Sequence, residues 1–587
     1  MDTCVQEVAA ERSAARAWHA WVWPALCCGA VLFAILLANP FNEAGFDDDW
    51  SYARVAQLLA LTGHMQYNGW GSPLILFQSV WAVPWIRLFG VAVPVLQASI
   101  IPLSLCFVLL VYATGRRAGL SETFAAFAAI GAGACPMFLP FAASFMTESC
   151  GCLFGMLCIY CALAAVQAED RRRATGWLWA LTIAGLVGGA NRQIMWAAPV
   201  ALVPYVAWER RAERAFTIHA MVAFGALGAA IVLLVHFFSQ PYAPLDGGYQ
   251  RLAWLLVHQS GVAGNWSLHL LLVGVLLCVP AFFALLPRIP WRPAVRTLAG
   301  LFAAVVLTAE AAMFGWPLAP FGTNIVTIAG IAIGPQDSPG NTVVIWPFWL
   351  RAILTIVVNL CVAMVLVWAV RVWRGRSRMT GRLALRVFGA FAIVYLPFLL
   401  PGMLLGIAFD RYMLPLIPLA FIAIMMQAGR GRSRPPTAAW ICLFVFSAYA
   451  VATTHDYYAR LRAQIEAAHR VEAGGVGRNL VSAGFEYDGW TQMKSGEPTA
   501  LPPYRDPVAA DAAKGFWFDF WDRATALDPE YVALNWTRPE APPAGELAVE
   551  FRAWMPPFRR TVVMWKRADL TAEMQAARVI AATRLGR

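Results

Sequence analysis

Long apolar runs separated by short arginine clusters constrain this chain's fold more than any single motif does. About thirteen such runs occur, at roughly 19–39, 95–114, 122–139, 147–166, 175–190, 194–208, 215–237, 267–286, 297–314, 350–370, 385–406, 411–428 and 437–454. A helix needs about 20 apolar residues to cross the hydrocarbon core, whereas a membrane barrel alternates over strands of about ten residues. Run length therefore selects an all-α polytopic membrane domain with about 13 transmembrane helices. Composition agrees: 60% of the residues are hydrophobic and 13% charged, against about a quarter charged in soluble proteins.

The loops between the runs differ by parity. One set contains "GRRAG", "EDRRRATG", "WERRAERA", "LPRIPWRPAVR", "RVWRGRSRMTGRLALR" and "AGRGRSRPP", with 20 arginines. The opposite set holds Arg54, Arg87, Arg192, Arg251, Arg351 and Arg411, only 6. Positively charged loops stay in the cytoplasm, so the N-terminus is expected inside and the last 130 residues or so outside. The net charge of +11 then belongs to loops beside a bilayer, and no nucleic-acid partner is expected. The N-terminal segment shows no small-residue cleavage site, so the first apolar run reads as an uncleaved span.

Two domains are expected. Residues 1–454 form the transmembrane domain, with a large first outer loop at 40–94. Within that loop "WSYARVAQLLALTGHM" and "LILFQSVWAVPWIRLFG" read as helices lying in the interface, where Trp81 and Trp85 are favoured. Residues 455–587 carry half of the chain's 34 acids and all three lysines. There a helix, "YYARLRAQIEAAHRVEAG", precedes strand-like "NLVSAGFEY", "EYVALNW" and "TVVMWKR", giving a small extracytoplasmic α/β domain. The twelve cysteines all precede residue 443. Cys150, Cys152, Cys158 and Cys161 share one apolar helix without histidine, as small packing residues do rather than metal ligands.

Charge on the expected outer side is sparse but of both signs. "FDDDW" places Asp47, Asp48 and Asp49 just after the first span. A helix cap needs one acid; three crowded carboxylates suit a general base or a cation site. "SFMTESCG" puts Glu148 at the mouth of the fourth run, with N-capping by Thr147 as the plain alternative. "GGANRQIMWAAP" puts Arg192 where arginine is otherwise avoided, with snorkelling to the interface as its alternative. "GIAFDRYMLPLIPLAFI" brings Asp410, Arg411 and Tyr412 to the outer entrance of a proline-shaped span, where Asp410 could simply pair with its neighbour Arg411.

Taken in order, the acidic pair after the first span, "MTE", the later Arg and "RYMLPLIP" resemble the lipid-phosphate-dependent glycosyltransferases of the GT-C fold. The group is the protein O-mannosyltransferase-like and aminoarabinose-transferase-like one (glycosyltransferase family 39 and relatives), and the resemblance covers roughly residues 15 to 430. It implies a bacterial cytoplasmic (inner) membrane enzyme. Such an enzyme moves a sugar from a polyprenyl-phosphate donor to a hydroxyl of a lipid, glycan or protein acceptor on the periplasmic face, with inversion. Carried onto this sequence, Asp48 is the expected base, Asp49 orients acceptor or sugar, and Glu148 completes an acidic wall. Asp47 falls outside that Asp-Asp-x-x-Tyr register and is expected to matter less. Arg192, Arg411 and Tyr412 receive the donor phosphate, and Tyr52 and Trp70 contact substrate. No cofactor is required, although three aspartates and His64 could hold a divalent ion. "YNGWGSPLILFQ" lacks the lysine of the aminoarabinose transferases' Lys-Pro-Pro stretch, which leaves the sugar open. A polytopic transporter or flippase of a lipid-linked or envelope glycan is the alternative.

Overall fold

The computed structural model describes residues 21–67, 73–238, 260–288, 346–373, 381–404, 409–492, 530–536 and 547–566, with short pieces at 71, 297, 299–304, 307, 325–327 and 330–331. In chain order its helices are α1 (Trp21–Ala38), α2 (Asp49–Thr62), α3 (Leu76–Phe89), α4 (Val93–Arg117), α5 (Glu122–Gly133), α6 (Glu148–Gln167), α7 (Arg171–Asn191), α8 (Ala197–Glu209) and α9 (Arg214–Phe238). They continue with α10 (Ser260–Leu277), α11 (Val279–Leu285), α12 (Phe348–Trp373), α13 (Arg382–Leu404), α14 (Ile417–Ala428), α15 (Thr437–Ala473) and α16 (Phe485–Gln492).

Among the described residues seven helices are long and apolar enough to cross a membrane: α1, α4, α6, α9, α12, α13 and α15. The pair α10–α11, bent by 63°, makes an eighth if it is one span. The expected run at 297–314 lies mostly outside the described residues. Three other expected spans are shorter than their apolar runs. α5 stops at Gly133, ahead of Pro136, and buried chain with a 3-10 turn at Leu139–Ala143 follows. α8 begins only after a 3-10 turn at Gln193–Trp196, and α14 only after one at Asp410–Met413. At α5 and α14, proline and the residue before it resist helical backbone (Pro136, Pro415), so apolarity continues where the helix does not. Irregular backbone at membrane depth survives only where protein surrounds it, and residues 134–147 are buried throughout.

Contacts assign the loops to two ends of the bundle. At one end Arg117 reaches Gln167 (3.3 Å), Arg210 donates to the Ala165 and Ala168 carbonyls (3.0 and 2.7 Å), Arg386 pairs with Glu209 (3.3 Å), and Ser121 donates to the Ser433 carbonyl (3.0 Å). The arginine-rich loops therefore converge. The three irregular segments, and the turn between α1 and α2, meet at the opposite end.

The connection between α1 and α4 contains α2 and α3, as the sequence leads one to expect. Phe77, Trp81, Trp85 and Phe89 form an aromatic ladder along α3, with neighbouring centroids 6.1–6.4 Å apart. The Trp81 indole donates to the Ser99 carbonyl of α4 (2.8 Å), while Val80, Leu88 and Phe89 stay exposed, as an interfacial helix allows.

The expected boundary at 454/455 falls inside α15, a single helix of 37 residues. It contains no glycine or proline, so nothing ends it where the apolar run ends. Its second half covers a four-stranded sheet of β3 (Val481–Ser482), β4 (Tyr531–Trp536), β6 (Arg559–Lys566) and β5 (Leu547–Arg552), in that order. Short strands β1 (Val326–Thr327) and β2 (Gly330–Ile331) pair elsewhere in the chain. β3 pairs parallel with β4, and the other pairs are antiparallel. Two of the three expected strands are present. "NLVSAGFEY" yields only a two-residue strand, because its second half enters α16, and β5 (LAVEFR) is additional.

Candidate active site

Each charged residue singled out from the sequence stands where a helix begins or ends. Asp48 is the N-cap of α2 and Thr147 that of α6, yet neither side chain makes a capping hydrogen bond. Asp170, at the start of α7, shows what capping looks like here, accepting the Arg173 N–H at 3.1 Å. The Thr147 hydroxyl instead accepts from Arg192 Nη1 at 3.1 Å. Capping does not explain these residues.

What organises them is a shared ion cluster. Glu148 Oε1 lies 2.6 Å from Arg192 Nη1 and 3.4 Å from Arg411 Nε. Arg411 Nη1 meets Asp47 Oδ2 at 2.5 Å, and its Nη2 stands 3.9 Å from Asp48 Oδ2. The side chains of Glu148, Arg411 and Arg192 are only 2%, 9% and 11% exposed. A snorkelling arginine would be solvated, and Arg192 is not. The Tyr412 ring lies 5.2 Å from the Arg192 guanidinium carbon, within cation–π range. Its backbone is fixed by Tyr395, whose hydroxyl donates to the Tyr412 carbonyl at 2.7 Å. Asp410 serves elsewhere: its carboxylate accepts the backbone N–H groups of Ile325 and Val326 at 3.1 and 2.8 Å. The local Asp410–Arg411 pairing thus gives way to a contact spanning the chain from residue 47 to 411.

Small residues make this convergence possible. A β-carbon on Gly189 would overlap the Trp196 ring, so only glycine lets α7 end tightly against the turn that carries Arg192. Asn191, fully buried, accepts the Gln78 N–H at 2.9 Å, and its carbonyl accepts the Ile75 N–H at 3.0 Å. That pins the start of α3 beside the cluster.

The three aspartates have separate fates. Asp47 adopts φ 52°, a left-handed conformation that asparagine and aspartate tolerate better than most residues, and this turns it onto Arg411. The register drawn from sequence set Asp47 aside; the structure places it in the cluster. Asp49, expected to orient acceptor or sugar, points inward and is fully buried, accepting the Phe46 N–H at 3.0 Å. Burial pushes its carboxyl well above the usual carboxylate range, although N–H groups of Phe145 and Phe46 pull the other way. Tyr52 is buried on the first turn of α2, close enough to feel Asp48, Arg411, Glu148 and Arg192 electrostatically. Trp70 lies outside the described residues. His64 follows the far end of α2 (14 residues), about 20 Å from the aspartates at 1.5 Å per residue. It cannot join them around one ion, and among the described residues no three His, Cys, Asp or Glu side chains are gathered so as to hold a metal.

The C-terminal unit supplies residues that the sequence did not reveal. Tyr457 on α15 packs on Phe46 (centroids 4.7 Å apart), and its hydroxyl accepts the Asp47 N–H at 3.4 Å and donates to Glu486. Trp50 lies edge-on to Phe485, and a β-carbon on Gly489 would overlap its indole. "SAGFEYDGW" thus docks against "FDDDW". Nothing local to either stretch signals that contact.

No family model matches the chain, and no curated protein matches it. In structure it is similar to ArnT from Cupriavidus metallidurans in the apo state, at 15% identity over 94% of this chain and 98% of that one, with a TM-score of 0.36. It is likewise similar to the same protein bound to undecaprenyl phosphate, at 16% identity over 93% and 98% with a TM-score of 0.35. A third similar structure is the Archaeoglobus fulgidus oligosaccharyltransferase in the apo form, at 12% identity over 73% of this chain and 56% of that one, with a TM-score of 0.35.

Proposed function

We propose that the chain is an integral-membrane glycosyltransferase that moves a sugar from a polyprenyl-phosphate donor to an acceptor hydroxyl, with inversion. The observation that carries this reading is the buried cluster of Arg192, Arg411, Glu148, Asp47 and Asp48 at one end of the bundle. The arginine-rich loops gather at the other end, which by the positive-inside rule supports a periplasmic position for the cluster and the C-terminal unit in an inner membrane. A transporter gathers its polar groups near the midplane, which this arrangement does not favour.

The chemistry follows from the residue types. A lipid phosphate at the membrane surface presents its charge at the depth of the helix ends that carry Arg192 and Arg411. Guanidinium N–H groups bind such oxygens in a planar fork. As the acceptor oxygen bonds to the anomeric carbon, the bond from that carbon to the phosphate oxygen breaks. The departing phosphate gains charge, which the arginines stabilise. The acceptor proton passes to a carboxylate. Asp47 is tied to Arg411 at 2.5 Å, so its carboxylate is already engaged, whereas Asp48 stands 3.9 Å from the same guanidinium; Asp48 is therefore assigned as base. Glu148, between both arginines, holds them in place. Tyr412 stacks on Arg192, and Trp70 and Tyr52 are assigned to the substrate side. One displacement inverts the anomeric carbon.

The test supplies the reconstituted protein with a panel of labelled polyprenyl-phosphate sugars and extracted envelope acceptors. Transfer of label with inverted anomeric configuration is expected from at least one donor. Hydrolysis or flipping of donors without any glycosylated product would overturn the reading.

A further inference from the structure

The turn joining β5 to β6 reads Ala-Trp-Met-Pro-Pro-Phe, residues 553–558. It is strongly apolar, and it is rigidly built. Buried Asp456 of α15 accepts the N–H groups of Trp554 and Met555 at 2.6 and 2.9 Å. Arg560 binds the same carboxylate at 3.2 Å and donates to the carbonyls of Pro557 (3.2 Å) and Met555 (2.9 Å). The Trp554 indole stacks on His455, with centroids 4.3 Å apart and planes 17° from parallel. Yet Trp554 remains 42% and Phe558 62% exposed. A buried ion pair and a ring stack hold this turn in a shape that shows its aromatics to the surroundings.

Helix geometry says what those surroundings are. The membrane-spanning half of α15 exposes Ile441, Phe444, Val445 and Ala448 along one stripe, the face toward lipid. At 3.6 residues per turn, His455 stands on that stripe about three turns beyond Phe444, roughly 16 Å along the axis. The aromatic turn therefore caps the lipid-facing stripe where the apolar run ends. Arg552 and Arg559 face each other across the neck of the hairpin, both exposed. Like charges directly opposite are unfavourable, and neither arginine has a carboxylate within ion-pair distance among the described residues. Two unopposed cations flanking two exposed aromatics match an interface rich in anionic headgroups.

We propose that residues 552–559 form a foot that inserts Trp554 and Phe558 at the headgroup–acyl boundary of the leaflet on the cluster's side, with Arg552 and Arg559 on anionic phospholipid headgroups. The foot fixes the height of the C-terminal unit above the bilayer, and that unit carries Tyr457 and Glu486 against Asp47. The inference concerns membrane contact and stands whether or not the sugar-transfer reading holds.

The full-length protein in nanodiscs of mixed phosphatidylcholine and phosphatidylglycerol provides the test. A benzophenone amino acid is placed at position 558 or, as control, at exposed position 548, about 16 Å farther along the hairpin at roughly 3.3 Å per residue. Irradiation is expected to give lipid adducts at 558 and essentially none at 548, with phosphatidylglycerol over-represented. That excess should vanish in the Arg552→Gln/Arg559→Gln variant, while adducts persist. As few lipid adducts at 558 as at 548, or cross-links there only to a second protein chain, would overturn the foot. Adducts without headgroup preference in the unmodified neck would overturn the role of the arginines.

Discussion

Glu148→Ala is the perturbation that probes the cluster most deeply. The Glu148 side chain is 2% exposed and is shared by Arg192 and Arg411 at 2.6 and 3.4 Å. Its removal leaves two largely buried guanidiniums with one carboxylate fewer. Breaking a buried pair by deleting one partner costs about 3–5 kcal/mol. At roughly 2 °C per kcal/mol for a larger domain, Tm should fall by about 6–10 °C. Glu148→Gln keeps an acceptor oxygen and should lose less. Arg192→Gln alone leaves Glu148 only its longer contact with Arg411 and is also costly, but the double variant Glu148→Gln/Arg192→Gln removes both charges. A double-mutant cycle should thus show coupling of about 1–3 kcal/mol, the double variant being more stable than the sum of the singles. Thermal unfolding of the four proteins in one detergent measures this. Strict additivity, or an Ala variant as stable as the parent, would refute the claim that these charges are paired and buried.

Asp48→Asn should leave Tm nearly unchanged and slow transfer by about 100- to 10,000-fold, the usual cost of a lost general base. Asp47→Asn should loosen Arg411 and weaken donor binding, while the pH dependence of the residual rate survives; loss of that dependence would exchange the two roles. The Asp49 carboxyl is pushed upward by burial, so the native state holds its proton where the unfolded chain has released it. Its contribution to stability is therefore full at low pH and declines as pH rises from about 4 through the raised native value. Asp49→Asn, which cannot ionise, should gain Tm relative to the parent between pH 5 and 8, and a parallel pH response would contradict this. Tyr457→Phe removes a hydroxyl lying between the Asp47 N–H and Glu486, and should lower kcat more than it lowers Tm.

The architecture was legible because bilayer thickness imposes a length on every apolar run. α1, α4, α6 and α9 could be placed within a few residues for that reason. Proline punctuation could have shortened α5 and α14, but hydropathy continues past the helix end and hides it. Arg192, Glu148 and Arg411 stood out because charge at the arginine-poor end of a span is costly, and the structure does bring them together. Which aspartate meets which arginine was not legible, because it depends on the left-handed backbone at Asp47 and on where α2 begins. The part played by Tyr457, Glu486 and Gly489 was hidden for a different reason. Those contacts join segments more than 400 residues apart, and a single sequence carries no record of such pairings. The change of composition near residue 455 falls inside a continuous helix, because α15 has no breaker there.

The central claim is that Arg192 and Arg411 receive a lipid phosphate, and titration of the purified protein with undecaprenyl phosphate, followed by native mass spectrometry, tests it most directly. A hydrogen bond to a charged group contributes about 1.5–3 kcal/mol, or roughly 10- to 150-fold in affinity. The parent protein should bind, Arg192→Ala and Arg411→Ala should each weaken binding by about that factor, and lysine at either position should restore it only in part, since the planar fork is lost. Equal affinity in the parent and both alanine variants would contradict the account.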